Sequence, residues 1–188
     1  VRKVLIFNGS PSGGVGNCGA WVKLVEKSLK GQASCRVVHL AQTSFSGSLR
    51  KEMEAADGFI FVTGTYWDSW GSPLQAFLED ITSLEGSSRL VGKPVSVFVL
   101  MHSVGGKGVL SRLQGVLSTF GFLIPPMSGM VYSLVSDIAL KAKSSFADDF
   151  WQKGDVSLVL QNFLIACDLK TSWTVWPVDK KNPRRRWL

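Results

Sequence analysis

The segment Val4 to Cys18, VLIFNGSPSGGVGNC, constrains the fold more than any other stretch of the chain. Val4, Leu5, Ile6 and Phe7 form an unbroken apolar run bounded by turn residues, and a strand of that kind is covered on both faces. A helical pattern begins near Asn17, a residue favoured at N-caps. Trp21, Leu24, Val25, Ser28 and Leu29 follow at helical spacing, and Gly31 is placed to end the helix. Between strand and helix, Gly9, Gly13, Gly14 and Gly16 let the backbone turn its amides inward, and Ser10 and Ser12 add hydroxyls. Free amides and the positive end of a helix dipole then converge on one place, which suits a phosphate.

Spacing narrows the kind of phosphate loop. Gly9 to Gly14 has the first spacing of a GxxxxGK[ST] loop, but Val15 stands where its lysine belongs. A GxGxxG match exists as Gly14, Gly16 and Gly19, yet it starts seven positions after Phe7 rather than directly from the strand. The second strand, Cys35 to Leu40, ends in His39 and Leu40 where a ribose-binding carboxylate is expected. The remaining pattern is a mononucleotide loop in which hydroxyls and amides alone neutralise one terminal phosphate.

Further apolar runs alternate with helical patterns. Gly58 to Thr63 and Pro94 to Met101 read as buried strands, Cys35 to Leu40 as an edge strand, and Phe122 to Ile124 with the Pro125-Pro126 break opens a fifth strand region. Ser72 reads as the cap of a helix with Pro73 at its first position and Gln75 completing a capping box. Leu74, Phe77, Leu78, Ile81 and Leu84 make its buried stripe. Leu110, Leu113, Leu117 and Phe120 make another, closed by Gly121, and a last helix runs from about Asp148 through Val156, Val159, Leu160, Phe163, Leu164 and Cys167. Such alternation predicts an α/β fold with a parallel sheet between helical layers. Ligands of these sheets bind beyond the carboxyl ends of the strands. The opening loop, Thr63 to Gly71 and His102 to Gly108 are therefore expected to converge. Tyr66, Trp67 and Trp70 offer cover for a flat ring, and Gly105 and Gly106 let backbone approach it. Trp70 reads equally well as a core or interface aromatic, His102 as a hydrogen-bonded structural residue, and Asp68 as a turn residue bonding its own loop. Cys18 reads as part of the loop wall rather than a nucleophile, since no partner base is in view.

At 188 residues, 45% hydrophobic and 19% charged, the chain has enough core for one domain. The longest apolar segment is too short to span a bilayer and no signal peptide precedes the first strand, so a cytoplasmic setting without membrane attachment is expected. Cys18, Cys35 and Cys167 are odd in number and far apart, which indicates neither disulfides nor a metal site. The net charge is +7, and the end of the chain carries most of it: Lys180, Lys181, Arg184, Arg185 and Arg186 against Asp179 make +4. With Trp173, Trp176 and Trp187 this run has the makings of a nucleic-acid arm. Basic runs alone are weakly specific, and a solvated or docked extension is the preferred reading.

Three ordered segments carry a resemblance: NGSP followed by a glycine-containing stretch and Asn17; ADGFIFVTGTYW leading into SPLQAFLED; and HSVGGKG followed by an amphipathic helix ending in STFG. In these the chain resembles the NADPH-dependent FMN reductase family of flavodoxin-like proteins, over roughly residues 3–125. The resemblance implies a flavodoxin-like three-layer sandwich around a five-stranded parallel sheet of order 2-1-3-4-5. Residues 1–170 would form the FMN-binding domain and 171–188 a basic C-terminal extension. It implies an FMN phosphate held by Ser10, Pro11, Ser12, Gly16, Asn17 and Cys18, ring contacts from Thr65, Tyr66, Trp67 and Asp68, and Ser103, Gly105 and Gly106 below the ring. Two positions depart from the family pattern. Cys18 stands where Thr is usual and offers only a weak thiol donor; Gly64 stands where Pro is usual and loosens the turn. Both imply weaker flavin binding.

The implied activity is an NAD(P)H oxidoreductase, with NADPH or NADH as co-substrate, passing two electrons through FMN to a quinone, flavin or similar small acceptor. No protein acid or base is needed, because the flavin supplies the hydride chemistry. A homodimer or tetramer is expected, with no nucleic acid bound. The alternative is a flavodoxin-type one-electron carrier serving a protein partner, which a basic chain disfavours because such carriers dock through acidic faces. A non-enzymatic binder acting through the tail is the third reading.

Overall fold

The computed structural model describes residues 1–141 and 151–176. Five strands alternate with helices: β1 (Arg2–Asn8), α1 (Gly16–Leu29), β2 (Ala33–His39), α2 (Gly47–Ala55), β3 (Gly58–Gly64), α3 (Ser72–Asp80), β4 (Val95–Met101), α4 (Gly106–Thr119), β5 (Gly129–Ser133), α5 (Leu134–Lys141) and α6 (Val156–Cys167). All pairings are parallel and the order is β2-β1-β3-β4-β5, the expected flavodoxin-like arrangement.

Alternation along the central strands builds two cores. Leu5, Phe7, Phe59, Phe61, Val97 and Val99 face one side, where they meet Leu49 and Met53 of α2, Leu74, Phe77 and Leu78 of α3, and Leu110, Leu113 and Leu117 of α4. Val4, Ile6, Ile60, Val62, Phe98 and Leu100 face the other, against Trp21, Val22 and Val25 of α1 and Val159, Leu160 and Phe163 of α6. Phe7 anchors the first core, with its ring 5.1 Å from that of Phe61 and 4.7 Å from that of Phe77. No described helix is long and apolar enough to cross a membrane.

Several local expectations change. Val15, not Asn17, is the N-cap of α1, because Gly16 (φ +72°) takes the turn and lets the helix start earlier. Ser72 lies inside α3; Gly71 is its N-cap with no side-chain bond, and Gln75 instead accepts from Trp70 Nε1 at 2.9 Å. The fifth strand region is split by its prolines. Leu123 pairs beside the start of β4, donating to Lys93 O and accepting from Val95 N, both at 2.9 Å; Pro125 and Pro126 have no N–H to continue the ladder, which resumes at Gly129. The last helix is seen from Val156, after a 3-10 turn over Lys153–Asp155, while its expected start at Asp148 lies outside the described residues.

After α6 the chain turns along the amino end of the sheet, away from the loops of the carboxyl end. Arg2 grips Asp168 with two bonds of 2.9 and 2.5 Å, Trp173 packs on Gly92, and Trp176 Nε1 donates to Glu85 Oε1 at 3.0 Å. Trp187 and the basic run Lys180 to Arg186 lie outside the described residues.

Helix α2 has only Leu49 and Met53 buried, too few for periodicity to reveal. Its ends are held by polar groups. Ser46 Oγ accepts from Leu49 N, and the half-buried Lys93 ammonium donates to Met53 O, Glu54 O and Ala56 O at 2.9, 2.6 and 2.5 Å. Burial lowers the Lys93 pKa, with Asp57 and Glu54 opposing. Lys93→Met keeps the stem and leaves those carbonyls without their donor, so urea unfolding is expected to show a loss of about 2 kcal/mol at unchanged m-value.

Candidate functional site

The loops after β1, β3 and β4 meet at the carboxyl edge of the sheet, and the first is folded around a side chain of its own strand. Asn8 is fully buried at the end of β1. Its Oδ1 accepts from Ser10 N at 3.1 Å and its Nδ2 donates to Gly13 O at 2.6 Å, closing the loop from within. Ser10 Oγ accepts from Ser12 N at 3.2 Å, and Gly13 N donates back to Ser10 O at 3.0 Å. Close packing leaves no room for a side chain at Gly19, where a Cβ would overlap the Gly14 carbonyl. The first turn of α1 has neither a capping side chain nor an acidic residue. The N–H groups of Gly16, Asn17 and Cys18 precede the helix's own hydrogen-bond ladder and have no other backbone acceptor among the described residues, so they face the loop mouth as donors beside the positive end of the helix.

The second loop is pinned to the first. Gly9 N donates to Val62 O at 2.8 Å, and a Cβ on Gly71 would strike Gly9 O. Thr63 Oγ1 accepts from Gly71 N at 3.0 Å and draws the ends of the loop together. At its tip Tyr66 and Ser69 exchange backbone bonds of 2.8 and 2.9 Å, and Trp67 and Asp68 both have positive φ, +49° and +56°. This is a two-residue primed turn occupied by residues that rarely adopt it. Its strain is held by the third loop and the helix after it: Arg112 of α4 donates to Asp68 O and lies over the Trp70 ring at 5.8 Å, while Gly105 abuts the Asp68 carboxylate and Thr65. Tyr66 folds back so that its hydroxyl meets Ser10 Oγ at 3.1 Å. Gly64 makes this possible, since a Cβ there would stand 3.0 Å from the Tyr66 ring. Gly64 is thus a space requirement of the tyrosine as well as a loose turn.

Between these loops lies a cavity of about 340 Å³ lined by Ser10, Ser12, Val15, Gly16, Asn17, Cys18, Gly64, Thr65, Tyr66, Leu100, Met101, His102 and Leu134. It is of small-molecule size. Of the residues singled out from sequence, Ser10, Ser12, Gly16, Asn17, Cys18, Thr65 and Tyr66 share this wall, whereas Pro11 stands on the exposed outer side of the loop. Trp67 is fully exposed at the turn tip, and the Asp68 carboxylate lies against Gly105 of the third loop. Ser103 lines a neighbouring cavity of about 820 Å³. Gly105 starts α4 with φ +87°, and Gly106 N donates to Met101 Sδ at 3.3 Å where a side chain would hit Val131. His102, first residue of the third loop expected to converge here, also lines the cavity; Leu100 and Met101 of β4 and Leu134 of α5 complete the wall, and their signal was only that they end or follow strands. Two groups define the cavity's chemistry. Thr65 Oγ1 is shut off from solvent with no partner among the described residues. Burial pushes the Cys18 thiol up to about 11 despite a hydrogen bond with Ser10, so it is neutral and unreactive near pH 7.

Comparison with known proteins agrees with this fold. Among solved structures, RosB with a bound 8-demethyl-8-formylriboflavin-5'-phosphate intermediate is 14% identical with a TM-score of 0.68, covering 89% of this chain and 79% of that one. An NADH:FMN oxidoreductase, EMOB, is 17% identical with a TM-score of 0.64, over 88% and 90%. FerB, an NAD(P)H:(acceptor) oxidoreductase from Paracoccus denitrificans, is 19% identical with a TM-score of 0.60, over 89% and 95%. At these identities the likeness is one of fold. No curated protein sequence matches the chain. The model of one family, NADPH-dependent FMN reductase, matches residues 2–133, from the first residue of β1 to the last of β5 and through every loop of the cavity, and the chain belongs to that family.

Proposed function

We propose that the protein is an FMN-dependent NAD(P)H oxidoreductase delivering two electrons to a quinone, flavin or similar small acceptor. The observation that carries this reading is the uncapped first turn of α1, whose free amides open onto a cavity containing the unpartnered Thr65 hydroxyl. These features fit FMN at both ends. Ser10, Ser12 and Asn17, with the amides of Gly16 and Cys18, would hold a phosphate, and the absence of an acidic side chain in that turn leaves the dianion unopposed. Thr65 and Tyr66 would border the ring. The Asp68–Gly105 contact and the Arg112 bond to Asp68 O keep that border in place. FMN, when bound, supplies the hydride chemistry. The chain's part is to hold the cofactor and leave one side open to NAD(P)H and then to the acceptor.

Exposed apolar residues stand on the same edge of the sheet as the cavity: Val15 and Leu134 from its wall, and Trp67, Val104, Val135 and Ile138 from the loops and helix after β3, β4 and β5. A crown of this kind on one edge favours a homodimer in which a second copy covers it. Light scattering is expected to give twice the chain mass for the wild type and the monomer mass for Trp67→Lys combined with Val104→Lys.

FMN added to the purified protein is expected to lose fluorescence, and NAD(P)H oxidation with a quinone to require FMN. No binding together with no oxidation would overturn the reading; two well-separated one-electron steps in a potentiometric titration would favour the carrier. Cys18→Thr puts a stronger donor beside the phosphate amides and is expected to tighten FMN by about 1 kcal/mol with riboflavin affinity unchanged, as read by fluorescence titration. In the wild-type protein the Cys18 thiol is expected to resist iodoacetamide up to about pH 9, since burial disfavours its thiolate, and a mass spectrum of the labelled protein checks this.

A further inference from the structure

The Asn8 clamp has a third partner that the cofactor reading does not use. His39 ends β2 directly opposite Asn8 in the sheet register, and its Nδ1 lies 3.2 Å from Asn8 Nδ2. The orientation of the Asn8 amide is settled by two backbone groups. Ser10 N is a donor and needs Oδ1, and Gly13 O is an acceptor and needs Nδ2. Turning the amide over would break both bonds in a site without solvent. The group presented to His39 is therefore N–H, and the ring must meet it with a bare nitrogen. Meeting it in this way leaves the ring proton on Nε2. That nitrogen stands 3.1 Å from where a Cβ on Gly14 would be, so glycine at 14 lets the ring edge lie against the loop, and the Gln42 side chain stands likewise beside Gly13.

Resting on the FMN reading above, we propose that His39 is a positioning residue for cofactor binding: through Asn8 it locks the phosphate loop, and protonation of its Nδ1 unlocks it. An imidazolium has no lone pair to accept with, and it would set N–H against N–H across 3.2 Å. Asn8 must then shift and loosen Ser10 or Gly13. The groups around the ring do not compete for the proton. β1 offers Asn8; the loop offers Gly13 and Gly14; the connection from Leu40 to Ser46 has no charged residue. Cys18 is the titratable group in the first turns of α1 and its thiol is neutral, and the first charged side chain of α2, Arg50, is bonded to Glu54 at 3.0 Å. A positive ring would also attract a phosphate, but from behind the loop with water on the far side, which is worth less than the bonds of a buried amide.

The test compares FMN affinity from pH 8 to pH 5.5 in the wild type, His39→Asn and His39→Leu, with riboflavin as the ligand lacking a phosphate. His39→Asn places an amide oxygen near the position of Nδ1 and does not titrate. At pH 8 it is expected to bind FMN as the wild type does, while His39→Leu binds about tenfold more weakly, with riboflavin equal in all three. On acidification the wild type is expected to lose about tenfold more FMN affinity than His39→Asn, which reports only the ionisation of the phosphate itself. Equal pH profiles for these two proteins, or a shallower one for the wild type, would overturn the lock. A nitrogen-15 spectrum of the protein without ligand decides the ring state independently, His39 being assigned by its loss in His39→Asn. A protonated Nδ1 at pH 7.5 overturns the proposal and a bare Nδ1 supports it. Absence of binding of FMN and riboflavin at every pH would overturn the cofactor reading, and the spectrum would still decide the tautomer.

Discussion

Three central strands, β1, β3 and β4, have no wet face, and the rest of the molecule follows from that burial. Their side chains alternate between two cores, so each strand needs helices above and below it. Parallel strands need long crossovers, and crossovers bring the chain back to the same edge each time. The loops after β1, β3 and β4 must therefore leave from one edge, whatever they contain. The phosphate-type loop, the Tyr66 turn and the glycines before α4 are neighbours because the sheet has no other place to put them.

What turns neighbours into a site is the closeness of their backbones. Gly9 meets Gly71, Gly14 meets Gly19 and Gly105 meets Asp68, each at a distance that excludes a side chain. These contacts let one loop hold another in a conformation that it would not keep alone, and the positive φ values of Trp67 and Asp68 are the clearest case. Asn8 has the same role inside the first loop, where a buried amide replaces the secondary structure that a loop lacks. The free amides of α1 are the exception. Asn8, Ser10 and Gly13 spend their polar groups on one another, whereas no capping side chain takes up those amides, which is why they point to a ligand.

Most of the architecture was legible in the chain because strands and helices bury their faces with different periods. Val4 to Phe7 and Gly58 to Thr63 fall within observed strands, and Pro94 to Met101 exceeds β4 by Pro94 alone. α2 was not legible, since its helix depends on Ser46 at one end and on Lys93, far away in sequence, at the other. The ladder beyond Leu123 was misplaced by a few residues because its register is set by two prolines and by β4 rather than by its own pattern.

For the site, the sequence by itself determined the materials: a loop of glycines and hydroxyls before a helix, a turn rich in aromatics, and a pair of glycines after a buried strand. These are local properties, set by φ, by side-chain size and by donor count. Only the tertiary structure decided which of them face one cavity. Trp67 and Tyr66 are adjacent in the chain, yet the primed turn sends the tryptophan to solvent and the tyrosine back to Ser10. His39 sits on a different strand from Asn8, and only the parallel register sets the imidazole beside the amide that shapes the loop. Direction and register belong to pairs of elements, and no single segment of sequence contains them.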